Sequence, residues 1–153
     1  MPDKKALKGI GGWLLFFINS LAISTIIHPL SYEMESYNNS LYIIYGNLMG
    51  LEDFPMFLTM IKCLAWLSSL LEIYIIFILI KHQKKETIRT VIILLWSMNL
   101  TFPVLQLIIL PQLIFGQTGL SNMHLYVLAS SLIPASIWTL YFTKSRRIKN
   151  TYQ

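Results

Sequence analysis

The sequence predicts an all-α membrane protein with four transmembrane helices, both termini in the cytoplasm and a short interfacial helix in the first outer loop. Three observations predict it. Of 153 residues, 55 % are hydrophobic and only 12 % are charged, where a soluble domain carries about 25 %; the mean hydropathy is +0.59. The apolar residues fall into four runs of about 18 to 24 residues, within the roughly 17–25 that cross a hydrocarbon core of about 30 Å. Eleven of the twelve Lys and Arg residues lie in the N-terminal arm, the loop between the second and third runs, and the C-terminal tail. Basic residues accumulate on the cytoplasmic side, and an even number of crossings places all three segments there.

The whole chain, 1–153, reads as one domain. Its basic arm carries Lys4, Lys5 and Lys8 and leads into helix one, about 10–28. Arm plus apolar run also describes a signal peptide. Ala22-Ile23-Ser24 is a poor cleavage site, however, and the apolar run continues past it, so an uncleaved helix ended by Pro29 is expected. The outer loop, 29–53, holds Glu33, Glu35, Glu52 and Asp53 and no Lys or Arg. Within it Leu41, Ile44, Tyr45, Leu48 and Met49 repeat at helical spacing, which predicts a short amphipathic helix at the interface.

Helix two, about 54–81, opens with Asp53 and Pro55. It contains Lys62 and Glu72, where each charge costs roughly 2.5–3.5 kcal/mol at a helix centre. The loop KHQKKETIR follows. Helix three, about 90–114, includes Pro103 and Pro111; helix four, about 123–143, includes Pro134. The tail, 144–153, carries Lys144, Arg146, Arg147 and Lys149. Trp13, Trp96 and Trp138 stand near the cytoplasmic helix ends, where indoles anchor at headgroups. The net charge of +5 is thereby explained by insertion and by anionic lipid at the cytoplasmic face, and no nucleic-acid role is expected.

Gly11-Gly12-Trp13-Leu14 near the start, Pro29-Leu30, Ile137-Trp138, and Tyr141-Phe142 followed by Ser145, Arg147, Thr151 and Tyr152 resemble the small bacterial inner-membrane proteins of domain-of-unknown-function family 2569. The resemblance implies four helices and a bacterial inner (plasma) membrane location, and supplies no activity. Leu140 stands where the family often has proline, and Lys62 where members tend to carry an acid.

Counted from the cytoplasmic helix ends, Glu72, Asn99, Asn19 and Ser131 fall at similar depths, about 9–16 Å in. They form a candidate intramembrane polar site. Intramembrane acids mark ion and proton pathways; equally, a carboxyl hydrogen-bonded to Asn99 or Asn19 serves as glue between helices. Lys62 and Gln106 share an outer depth, with Lys62 expected to snorkel outward or to pair with Asp53 or Glu52. His28 and His124 read as separate interfacial histidines, since a metal site would need further ligands such as Glu33 or Glu35. Cys63, the single cysteine, reads as a buried inert thiol. No nucleophile-elbow, zincin or phosphate-loop spacing occurs, so neither enzyme activity nor a cofactor is expected. The leading expectation is a non-enzymatic accessory or assembly protein that contacts itself or another membrane protein. The alternatives are a small proton-linked carrier using Glu72 and an envelope sensor using the outer loop.

Overall fold

The computed structural model describes residues 8–34, 53–116 and 122–153, the side chains of 122–124 excepted. The interfacial helix expected over 41–49 lies outside them. All regular structure among the described residues is helical, and four helices are long and apolar enough to cross a membrane.

Helix α1 spans Trp13–Ser31. It begins three residues later than the apolar run because Gly12 precedes it at φ 54°, ψ −132°, a conformation that turns the chain sharply and that side chains disfavour. Pro29 does not end it. The helix runs on to Ser31 and then loosens through i→i+3 bonds, Tyr32 N–H to Pro29 O at 3.2 Å and Glu33 N–H to Leu30 O at 3.0 Å. Helix α2 spans Phe54–Lys81 with Pro55 in its first turn.

Helix α3, Lys85–Phe115, starts earlier than the apolar run, so Lys85 and Arg89 belong to the helix rather than to a loop. Glu86 sits in its first turn, where the helix dipole favours an acid. Its register is interrupted twice by π turns, Ser97–Thr101 and Leu105–Ile109, and it ends at Gly116 with φ 65°. Helix α4 spans Asn122–Lys144 and continues through Pro134.

The C-terminal segment is not a free polar tail. Ser145 breaks the helix with extended backbone, its Oγ accepts the Ile148 N–H at 3.5 Å, and α5, Arg146–Thr151, turns back to bury Ile148 and Thr151. The following residue, Tyr152, is buried as well. Its hydroxyl donates to Leu79 O at 2.7 Å, and Gly9 N–H donates to Thr151 Oγ1 at 2.8 Å. Both chain ends, the end of α2 and the start of α3 therefore share one end of the bundle, hereafter the basic end.

The core there joins Leu14 and Phe17 of α1, Ile75 and Leu79 of α2, Val91 and Leu95 of α3, Phe142 of α4 and Ile148 of α5. Phe17 meets Phe142 edge-on at 5.2 Å and lies 4.5 Å from Trp138. At the opposite end Tyr32, Phe57, Ile61 and Ala65 form a smaller cluster, with Phe57 edge-on to Phe115 at 5.4 Å. Between the two clusters the packing changes character. In lipid, helices associate through close packing and hydrogen bonds rather than apolar burial alone, and the middle of this bundle is polar.

Candidate functional site: a polar cavity in the bundle

Two i,i+4 pairs build one wall. Ser24 and His28 lie one turn apart on α1, and Ser68 and Glu72 lie one turn apart on α2, so each pair shares a face. The Ser24 hydroxyl donates to Glu72 Oε1 at 2.9 Å. His28 Nδ1 lies 3.1 Å from Ser68 Oγ, whose proton goes to Ala65 O at 2.8 Å. That assigns the donor role to Nδ1 and leaves Nε2 for another partner. The opposite wall comes from Met98, Asn99, Phe102, Pro103 and Gln106 of α3 and Ser131 of α4. Together these ten residues line a pocket of about 230 Å³, well above the roughly 10–15 Å³ that one water needs.

Glu72 is 6 % exposed, and its Oε2 is buried without a protein hydrogen-bond partner among the described residues. Asn99 turns its amide to Leu95 O at 2.9 Å, and the Ser131 hydroxyl reaches Asn99 O at 2.7 Å. Pro103 supplies no N–H to the carbonyl four residues back, which is that of Asn99. Ser131 thus serves a group the proline left short of a donor, and ties α4 to α3 at the level of the cavity. Nearer the basic end, Trp96 Nε1–H to Thr139 Oγ1 at 3.0 Å ties the same two helices.

The structure brings Glu72, Asn99 and Ser131 together and leaves Asn19 out. Asn19 is exposed on the outer face of the bundle. Equal depth does not mean equal face: nine residues separate Asn19 from His28, about 900° of rotation, which puts them on opposite sides of α1. Glu72 consequently bonds Ser24 rather than an asparagine. Gln106 turns into the cavity, away from Lys62. Lys62 pairs with Glu33 at 2.7 Å rather than with Asp53; Glu52, the other acid considered, lies outside the described residues. Cys63 is exposed on the outer surface, where a thiol needs no polar partner. Ser24 and Ser68 are polar cavity members that depth alone does not single out, and His28, read above as an interfacial histidine, lines the cavity instead; their signal was the polar i,i+4 spacing on otherwise apolar helices. Glu35 and the His124 side chain, considered above as metal ligands, lie outside the described residues.

The motif residues at the two chain ends also meet. The Arg147 guanidinium lies against Gly11 and Gly12, so close that a Cβ on Gly11 would stand 2.6 Å from Nη1. Thr151 Oγ1 accepts from Gly9 and donates to Arg147 O at 2.8 Å. Ser145 caps α5. Trp13 is exposed beside them, edge-on to Phe16 at 5.6 Å. One clasp therefore accounts for both halves of the motif. The family model for "Protein of unknown function (DUF2569)" matches residues 7–153, both halves included. The chain belongs to this family. No curated protein and no solved structure gives a significant match. This DUF2569 chain thus combines a terminal clasp carrying its motif residues with a polar cavity built around Glu72.

Proposed function

We propose that this protein is a small proton- or cation-linked carrier of a bacterial inner membrane, working through Glu72, with its basic end in the cytoplasm. The observation that carries the reading is the Glu72 carboxylate, held by Ser24 through one oxygen and unpartnered at the other, in a cavity shared with His28, Asn99, Gln106 and Ser131. An ionisable group inside a spanning bundle is costly and marks ion or proton pathways. Carboxylate, amide and hydroxyl oxygens are also the hard donors that suit a proton or a small hard cation. The orientation follows from the excess of Lys and Arg at the basic end.

The test is proton movement in proteoliposomes under imposed sodium, potassium and organic-cation gradients. Wild-type protein should acidify or alkalinise the lumen with at least one of them, and Glu72→Gln should abolish the response. Equal traces from wild type, Glu72→Gln and empty liposomes would overturn the carrier reading.

A second reading, as an accessory or assembly protein without enzymatic activity, is favoured by the uneven packing. In the apolar 18-residue stretch of each span only 6 % of α3 and 11 % of α4 are buried, against 39 % for α2. Two spans so little covered leave surface for lipid or for a partner's helices. Extraction from native membranes in a mild detergent, with mass determination, tests it: a stoichiometric foreign chain supports it and a lone monomer counts against it.

A further inference from the structure

We propose that the groove between α3 and the α4–α5 corner is a binding site for one anionic phospholipid. The groove measures about 850 Å³ and lies at the basic end, distinct from the Glu72 cavity. Its chemistry is ordered along the helix axis. Lys85 and Arg89, one turn apart on α3, and Lys149 on α5 form a cationic rim. Ile92 and Ile93 continue one turn deeper along α3, and Phe142 and Ile148 supply the facing wall. From Lys85 to Ile93 is eight residues, about 12 Å of helix. A headgroup followed by the first part of an acyl chain presents the same order, charge then hydrocarbon, in the same direction.

The corner that makes the groove is itself specified by sequence. Ser145 ends α4 and caps α5, which lays Ile148 and Tyr152 into the bundle and leaves Lys149, the next residue round the helix after Ile148, at the rim. Among the described residues the one ion pair is Lys62–Glu33, far from here, so the three rim cations have no carboxylate partner. Glu86 is the one acidic side chain lining the groove. A soluble anion would satisfy the cations and leave the apolar wall bare. A purely apolar helix would cover the wall and leave three charges facing it. An anionic lipid meets both, and basic pockets between spanning helices on the cytoplasmic side are a known setting for such headgroups.

Native mass spectrometry of the delipidated full chain, titrated with phosphatidylglycerol or phosphatidylcholine in mild detergent, tests the assignment. The expected result is one retained phosphatidylglycerol and little retained phosphatidylcholine. Near an anionic surface each basic residue is worth about fivefold, so K85Q/R89Q/K149Q should weaken retention roughly 100-fold. The control K81Q/K84Q, also at the basic end but outside the groove, should change it little. Ile93→Trp keeps every charge and fills the groove at an exposed position, and should also prevent retention. Equal losses in the control and rim variants, unchanged retention in Ile93→Trp, or displacement of the lipid by inorganic phosphate alone would each overturn the assignment.

Discussion

Removing one oxygen atom, in Tyr152→Phe, tests how the C-terminal segment is held. Leu79 O is among the last four carbonyls of α2, which have no partner within their own helix. Ile78 O is served by His82 N–H at 2.9 Å, and Leu79 O by the Tyr152 hydroxyl at 2.7 Å. The tyrosine is 3 % exposed. The phenylalanine ring keeps the packing against the core and leaves the carbonyl without this donor, which costs about 1–3 kcal/mol for a buried group. The same contact predicts a pH dependence. Burial, with a smaller contribution from the nearby Tyr141 phenol, pushes Tyr152 up from 10.0 to about 12. Between those values the unfolded chain has lost the proton that the folded chain keeps, so stability falls as pH rises through this window. A shift of this size is worth about 2–3 kcal/mol. Wild type should therefore be more stable than Tyr152→Phe below pH 10, and the difference should shrink as pH rises towards 12. Denaturation midpoints in mixed detergent micelles, followed by far-ultraviolet circular dichroism, measure this. Every other ionisable group is shared by the two proteins and cancels in the comparison. Parallel curves at every pH would show that Tyr152 does not bury its phenol against α2.

The terminal clasp predicts that Gly12→Ala costs more than Gly11→Ala. The first forces a side chain into a glycine conformation at about 1–3 kcal/mol, while the second displaces only the flexible tip of Arg147; the reverse order in the same unfolding assay would refute the geometry. Asn19→Leu should change stability by less than about 0.5 kcal/mol because Asn19 faces outward, and a large loss would place it in a contact. Lys62→Met should cost no more than about 1 kcal/mol, because both partners of its ion pair are partly exposed; a loss of several kcal/mol would mean the pair is desolvated. Ser131→Ala should destabilise the wild-type chain and do so much less in a Pro103→Ala background, where the backbone itself regains an N–H for Asn99 O; a double-mutant cycle with no coupling would refute that link.

Four helices were legible because each apolar run falls within the roughly 17–25 residues that a bilayer span takes, and α2 was legible to its ends because Asp53–Pro55 opens it and a basic loop closes it. The ends of α1 and α3 were less so. Helix α1 starts where a backbone torsion at Gly12 allows, and α3 recruits the polar turn Lys85–Arg89, which apolar periodicity cannot see. The cavity was half legible. Depth along an axis follows from counting residues, which grouped Glu72, Asn99 and Ser131 correctly. Rotation about the axis decides which polar group faces inward, and for α1 it selected Ser24 and His28 over Asn19. The i,i+4 pairing of Ser24 with His28 carried that information, as did Ser68 with Glu72. The fold of the tail was hidden for another reason: α5 is six residues long and mostly polar, and only its docking of Ile148 and Tyr152 against the core makes it a helix.

The two prolines of α3 connect these observations. A proline in a spanning helix withholds one N–H and crowds the preceding turn, and such breaks are tolerated in a membrane where neighbours or local π adjustments satisfy the freed groups. Pro103 lies two residues after the first π turn and Pro111 two residues after the second. The first break stands on the wall of the Glu72 cavity, and its freed carbonyl is met by Ser131 from α4. A regular helix would need no such hydroxyl and would present Asn99 and Gln106, seven residues apart, near one line. The π turns instead set their faces through a loosened stretch, within an apolar part of α3 of which only 6 % is buried. Polar contents, an irregular backbone and sparse packing thus coincide on one side of the cavity. The other side, α1 against α2, is regular and holds the carboxylate. If the cavity changes shape when Glu72 gains or loses a cation, the stretch of α3 between the two π turns is the wall whose backbone ladder is already interrupted.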